Sequence, residues 1–271
     1  MAKNGVLLNV RELSISFGGI RAVNDFSCDL LEGELVGLIG PNGAGKTTVF
    51  NMLSGVYTPT EGRIYLWDRE EKKHEVDRLS PARLSKIGIA RTFQNIRLFG
   101  NLSVEDNVLI ALHQTRGENP LDALLHLPRF HNDEKRMRRQ SLELLSLFKI
   151  DRKKDDLARN LPYGEQRKLE IARALAANPV LLLLDEPAAG MNPQETSELM
   201  KLIAFIRESF KLTILLIEHD MHLVMGICER LIVLDYGRVI ASGVPADIRR
   251  DPAVIKAYLG EEAMRHGASP A

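Results

Sequence analysis

Only two cysteines occur in 271 residues, Cys28 and Cys228, far apart and in no metal-ligand spacing. That excludes a disulfide framework and a zinc module, and leaves two reduced, buried thiols in a reducing compartment as the reading. Net charge is also missing, because 36 basic and 36 acidic residues cancel. A general nucleic-acid coat is therefore excluded, and only a local basic patch could make such a contact. No apolar run approaches the roughly 20 residues that cross a bilayer. Met1–Gly5 carries no hydrophobic signal region. The chain is thus expected in the cytoplasm, with any membrane role exercised through partners. Internal repeats, low-complexity tracts and coiled-coil heptads are absent too. What remains is 45% hydrophobic and 27% charged residues, an ordinary soluble composition long enough to bury a sizeable core.

The most informative stretch is Gly40-Pro41-Asn42-Gly43-Ala44-Gly45-Lys46-Thr47, followed by Thr48. It fits the phosphate-cradling pattern of Gly, four residues, Gly-Lys-Ser/Thr. An apolar strand, Leu35–Ile39, leads in, and a helix from Thr47 to Leu53 leads out. Glycines let the backbone N–H groups curl inward toward phosphate oxygens, and the helix start adds partial positive charge there. Lys46 is placed to reach the β- and γ-phosphates and the Thr47 hydroxyl to ligate Mg²⁺. Alone, such a run could be an ordinary strand-to-helix turn. With strand before and helix after, it predicts a nucleoside triphosphate site.

Short apolar runs alternate with helical patterns along the chain. Strands are expected at Leu7–Ser14, Leu35–Ile39, Gly62–Trp67, Ile87–Thr92, Val180–Leu184, Leu212–Ile217, Leu231–Leu234 and Arg238–Ala241. The middle ones are continuous Val/Ile/Leu runs, as in strands buried on both faces, and the first few suit an antiparallel edge. Helix starts are marked by Ser80-Pro81 and Asn192-Pro193, and by Ser103 with Asp106 before Val104–His113. The segment from Leu102 to Leu161 offers no strand. It reads as a loop over Thr115–Pro120, a short apolar helix over Leu121–Leu127 and a charged amphipathic helix over Asn132–Phe148. The basic run Lys135, Arg136, Arg138 and Arg139 reads as a solvated helix face. The end, Glu261–Ala271, looks frayed.

Leu181-Leu182-Leu183-Leu184-Asp185-Glu186 is a buried strand ending in two carboxylates. It would deliver both acids beside the phosphate loop, where parallel sheets bind ligands. Asp185 would hold Mg²⁺ through water, and Glu186 would activate the attacking water as general base.

With these residues together, the chain resembles the ATPase subunit of an ATP-binding-cassette (ABC) transporter, over almost its whole length and in the family's order. The resemblance implies an α/β, RecA-like P-loop NTPase core with an antiparallel edge sheet and an inserted helical subdomain. Residues 1–101 and 165–245 would form the core, 102–164 the helical subdomain with its signature turn, and 246–271 a helical tail. Phe17 matches the aromatic that stacks on adenine, although its spacing alone equally suits a strand-end core aromatic. Gln94 matches the glutamine that touches Mg²⁺ and the attacking water, and His219 the histidine that contacts the γ-phosphate. Leu161-Pro162-Tyr163-Gly164-Glu165 resembles the signature Leu-Ser-Gly-Gly-Gln, which in the family binds the γ-phosphate held by the partner subunit. Two departures stand out. Pro162 and Tyr163 replace Ser and Gly, so the serine hydroxyl is lost, and Asn192 replaces an Asp. Both departures, the long helical insert and the ending Asp251–Gly260 resemble the longer of two paired ATPases of branched-chain amino acid importers. Related ATPases serve urea import and lipopolysaccharide export. The resemblance implies ATP and Mg²⁺ as cofactors and a second ATPase subunit, or a second copy, as partner. It also implies two transmembrane permease subunits and, indirectly, a periplasmic or extracellular solute-binding protein. The place of work would be the cytoplasmic face of the plasma membrane. ABC ATPases of DNA repair and translation are a second class, disfavoured by the single cassette and zero net charge. A nucleotide-binding module without turnover is a third, opposed by the joint presence of Lys46, Asp185, Glu186 and His219.

Overall fold

The computed structural model describes residues 5–114 and 128–258. The loop and short helix expected over 115–127, and the frayed end from 261, lie outside the described residues.

Two sheets carry the molecule. The larger has the strand order β10-β9-β3-β8-β7-β6. Its strands are β3 (Leu35–Ile39), β6 (Ile89–Arg91), β7 (Leu181–Asp185), β8 (Thr213–Ile217), β9 (Arg230–Asp235) and β10 (Arg238–Gly243). All pair in parallel except β10, which closes one edge antiparallel to β9. The smaller sheet is antiparallel, in the order β2-β1-β4-β5. It comprises β1 (Val6–Phe17), β2 (Ile20–Leu31), β4 (Glu61–Trp67) and β5 (Lys73–Glu75). The antiparallel strands expected at the sheet's edge thus form a sheet of their own.

The apolar runs explain the layering. Along β7, Leu182 and Leu184 join one buried cluster and Leu181 and Leu183 the other. β3, β8 and β9 divide in the same alternating way: Leu35 and Ile39 against Val36 and Leu38, Ile214 and Leu216 against Leu215 and Ile217. Successive side chains point to opposite faces of a strand, so a sheet covered on both faces needs uninterrupted apolar residues. One face packs on the antiparallel sheet and the phosphate-loop helix. The other packs on the helices that follow β6, including Val104, Val108, Met137 and Leu145. Each fully buried Leu contributes roughly 1.5–3 kcal/mol relative to exposure, which is what holds the parallel strands.

Two strands are absent from the sequence reading, β2 and β5. In β2 the buried residues are Val23, Phe26 and Leu30, a spacing that imitates a helix. The cause is a bulge: Asp25 adopts a positive φ of 59°, and the β1–β2 register shifts nearby, so strict alternation is lost. The strand expected over Ile87–Thr92 is shorter. Ile87 ends helix α2 (Pro81–Ile87), Gly88 terminates it in the left-handed region, and β6 begins at Ile89.

Helix α1 (Lys46–Leu53) follows β3 directly. Helix α3 (Val104–Gln114) starts at Ser103, whose Oγ accepts from the Asp106 N–H at 3.0 Å and donates to the Asp106 carboxylate at 2.7 Å. Then come α4 (Pro128–Leu147), two single 3₁₀ turns and α5 (Tyr163–Ala176). α6 (Pro193–Phe210) follows β7, α7 (Met221–Ile227) follows β8, and α8 (Pro245–Ile248) and a helical turn over 252–258 follow β10. Among the described residues no helix is long and apolar enough to cross a membrane.

Candidate functional site

Strand order alone assembles the site. β3 and β7 both neighbour β8, so the loops after these three strands meet at the carboxyl ends of a parallel sheet, where such sheets bind ligands. The loop after β3 is Gly40–Gly45. Gly40 has φ 148°, and a Cβ there would lie 2.0 Å from the Leu234 carbonyl oxygen. Gly45 caps α1 at φ 102°, with the Ala22 carbonyl 2.7 Å from where its Cβ would be. Both positions demand glycine, because neighbouring backbone and the left-handed conformation each exclude a side chain. Lys46 is buried, and its Nζ donates to the Gly40 and Pro41 carbonyls at 2.7 and 2.8 Å. The ammonium therefore lies across the mouth of the loop. Thr47 is exposed beside it.

The loops after β6, β7 and β8 bring three predicted residues into contact. Glu186 Oε2 accepts from Gln94 Nε2 at 2.8 Å, and Glu186 Oε1 lies 2.5 Å from His219 Nε2. Glu186 has a positive φ of 47°, a conformation that costs a non-glycine residue of order 1–3 kcal/mol and persists where surroundings enforce it. Its N–H is held by the Ile217 carbonyl at 2.9 Å. The carboxylate, the amide and the imidazole thus come from three separate loops.

Asp185 is buried at the tip of β7. Sequence reasoning missed its partner, Arg91 at the end of β6. Arg91 donates to Asp185 Oδ2 at 2.8 Å, to Asn51 Oδ1 at 2.7 Å and to Ser54 Oγ at 2.8 Å. Its guanidinium also lies over the rings of Phe93 and Phe50. Burial pushes the Asp185 carboxyl above the usual range, and Arg91 pulls it partly back. A second missed residue is Glu218. Its Oε1 accepts from the Ala188 N–H at 2.9 Å and its Oε2 from the His219 N–H at 3.2 Å. Burial raises its pKa, and the two N–H donors oppose the rise. It thereby clips the loop after Glu186 to the loop carrying His219.

The Thr47 hydroxyl, the Gln94 amide oxygen and the Asp185 carboxylate are all hard oxygen donors, the kind Mg²⁺ takes beside phosphates. Among the described residues no three His, Cys, Asp or Glu gather as a metal cage. The donor set therefore suits a cation held mainly by phosphate and water.

Phe17 ends β1, is 45% exposed and packs edge-on against Tyr57, ring centroids 5.2 Å apart. It is an exposed ring, unlike a core aromatic. Pro162 caps α5, whose first turn begins at Tyr163, and extended Leu161 leads into it. Leu161 is buried, and its carbonyl accepts from Gln166 Nε2 at 2.8 Å. Glu165 pairs with Lys153 at 2.6 Å. A Cβ at Gly164 would lie 3.3 Å from the Glu195 carboxylate. Asn192 caps α6 in a full capping box with Glu195. Asn and Asp cap about equally well, so the replacement of Asp by Asn leaves this task intact. Both cysteines are free, and burial pushes each thiol up to about 12.

Residues 23–189 match the family described as ABC transporter. The chain belongs to that family. It is an ABC ATPase, the ATP-binding and ATP-hydrolysing subunit type of these transporters. Residues 238–264 further match the family described as branched-chain amino acid ATP-binding cassette transporter. Among curated proteins, the cassette is 47% identical to the high-affinity branched-chain amino acid transport ATP-binding protein LivG of Salmonella typhimurium. That match covers 94% of this chain and 98% of the relative. It is 44% identical to BraF of Pseudomonas aeruginosa, of the same description, over the same shares. Among solved structures, it resembles an ATP-binding cassette of an ABC transporter in its ADP conformation. The TM-score is 0.79 at 30% identity, covering 94% of this chain and 99% of that one.

Proposed function

We propose that this cassette energises a branched-chain amino acid importer, working in a heterodimer with a second ATPase on two permease subunits. The observation that carries the solute class is the match of residues 238–264 to the branched-chain family, beyond the shared core. Full-length identity of 44–47% to LivG and BraF supports it. The lipopolysaccharide export ATPase LptB of Escherichia coli is more distant at 37%. The place of work is the cytoplasmic face of the plasma membrane, and a solute-binding protein on the far side delivers the solute.

The geometry supports the following residue roles. The N–H groups of Gly40–Thr48, with Pro41 and Asn42 shaping the turn, cradle phosphates, while Lys46 leaves its loop carbonyls for the β- and γ-phosphates. Phe17 offers its exposed ring to adenine. Thr47, Gln94 and, through water, Asp185 hold Mg²⁺, which when bound neutralises charge on the β- and γ-phosphates. Glu186 takes the proton of the attacking water. His219 and Gln94 aim its carboxylate, and His219 also faces the γ-phosphate. Leu161, Pro162, Tyr163, Gly164 and Glu165 complete the partner's site at the start of α5, where a helix presents N–H groups to an anion. Segments 1–101 and 165–245 serve as the catalytic core, 102–164 as the transmitting subdomain and 246–271 as a tail. A groove of about 790 Å³ beside Phe93, Arg97, Phe99 and Arg173 is where closure would pull on the permeases.

The test is Glu186→Gln, which keeps shape but removes the base. ATP binding is expected to survive while turnover drops roughly 10²-fold or more. Wild-type turnover would remove Glu186 as the base. Uptake of labelled leucine into vesicles holding the assembled transporter tests the solute; movement of an unrelated solute instead would overturn that part.

A further inference from the structure

Taking Gln94 and Glu186 in the roles proposed above, we infer that Tyr163 and Arg167 are positioning residues that tie the signature turn to this chain's own catalytic base. Arg167 is 0% exposed, the largest fully buried side chain described. Its guanidinium donates to the Phe93 carbonyl at 2.6 Å and the Gln94 carbonyl at 2.7 Å, and to the Tyr163 hydroxyl at 3.1 Å. Glu170 neutralises it at 2.8 Å, and the same carboxylate holds the Arg97 N–H at 3.1 Å. A buried, paired guanidinium with a fixed fork sets the geometry of whatever it binds. Here it binds the backbone of the loop whose next atoms, the Gln94 side chain, donate to Glu186.

Tyr163 reaches Glu186 by a second path. A Cβ at Gly190 would lie 3.3 Å from the Tyr163 ring, so the ring covers the loop that begins at Glu186. Yet Tyr163 is 44% exposed, on the turn that faces a partner's nucleotide in the proposed dimer. One side chain thus lies on the partner-facing surface, covers the Glu186 loop and touches Arg167, which in turn holds the Gln94 loop. The Leu-Ser-Gly-Gly-Gln pattern has glycine at this position and no hydroxyl to offer. The link to Arg167 is therefore supplied by the Pro162-Tyr163 variant of the turn. Binding of the partner's ATP at Leu161–Glu165 would be felt, through Tyr163 and Arg167, as alignment of Gln94 and Glu186.

Tyr163→Phe removes the hydroxyl and leaves the ring on Gly190. Placed in the assembled transporter, it should lower kcat for ATP about 5- to 50-fold with KM within about twofold, the pattern of lost alignment rather than lost binding. Combined with Gln94→Ala, which severs the path to Glu186, it should cause no further loss, because residues on one path are non-additive. A merely structural role, or a contact made only with the partner's nucleotide, would lower the rate by the same factor on both backgrounds. That result, or a wild-type kcat for Tyr163→Phe, would overturn the inference. Wild-type turnover by Gln94→Ala alone would instead remove the reading of Gln94 on which it rests.

Discussion

At the scale of single residues, the site gathers charges that each have a fixed counterpart. Lys46 supplies the full positive charge at the loop, held between two carbonyls. Lys46→Ala should therefore abolish useful ATP affinity, because a charge-assisted contact to phosphate is lost and nothing in the loop replaces it. Isothermal titration with ATP and Mg²⁺ checks this, and unchanged affinity would contradict the loop's assignment. Glu218 gives a pH signature. Its folded pKa is raised above 4.5 by burial. Its contribution to stability is full below that value and declines as pH rises through the folded pKa, where a buried charge must form. Glu218→Gln lacks this titration. Paired denaturant midpoints across pH should show wild type losing ground to the variant over that window; parallel curves would remove the effect.

At the scale of elements, helix starts position the chemistry. Asn192 joins the loop after Glu186 to α6, accepting from the Glu195 N–H at 2.9 Å while Glu195 accepts from the Asn192 N–H at 3.0 Å. Asn192→Ala removes one of these bonds and should destabilise the cassette by about 1 kcal/mol. Asn192→Asp should be nearly neutral in the same denaturation assay. A large loss in Asn192→Asp would mean that charge, and not capping, decides the position. This element was legible in the sequence because cap and proline are adjacent. β2 was not, because a bulge at Asp25 gives a strand the apolar spacing of a helix.

At the scale of the whole molecule, the proposed pair has two unequal sites. The site completed by Pro162 lacks a serine hydroxyl, and a hydrogen bond to a charged group contributes about 1.5–3 kcal/mol. Glu186→Gln in this subunit alone, and the equivalent change in the partner alone, should therefore reduce transporter ATPase activity unequally. Equal losses, or full activity of this chain as a homodimer on its permeases, would overturn the asymmetric pair.

The amino-acid sequence determined the contiguous parts by itself. The loop from Gly40 to Thr48, the acids ending β7, the strand before His219 and the caps of α3 and α6 are each set by residues a few positions apart, where local backbone conformation and apolar period decide the outcome. Tertiary structure decided which loops meet and what steadies them. Arg91 finds Asp185 94 residues away, Arg167 finds Phe93 74 residues away, and Ala188 finds Glu218 30 residues away. A lone Arg or Glu in a sequence reads as surface charge, since nothing local marks a partner. Only the strand order, placing β7 between β6 and β8, and the packing of α5 on the loop after β6 bring these groups together in a dry interior. There an unpaired charge would be too costly to bury, so each one found its counterpart.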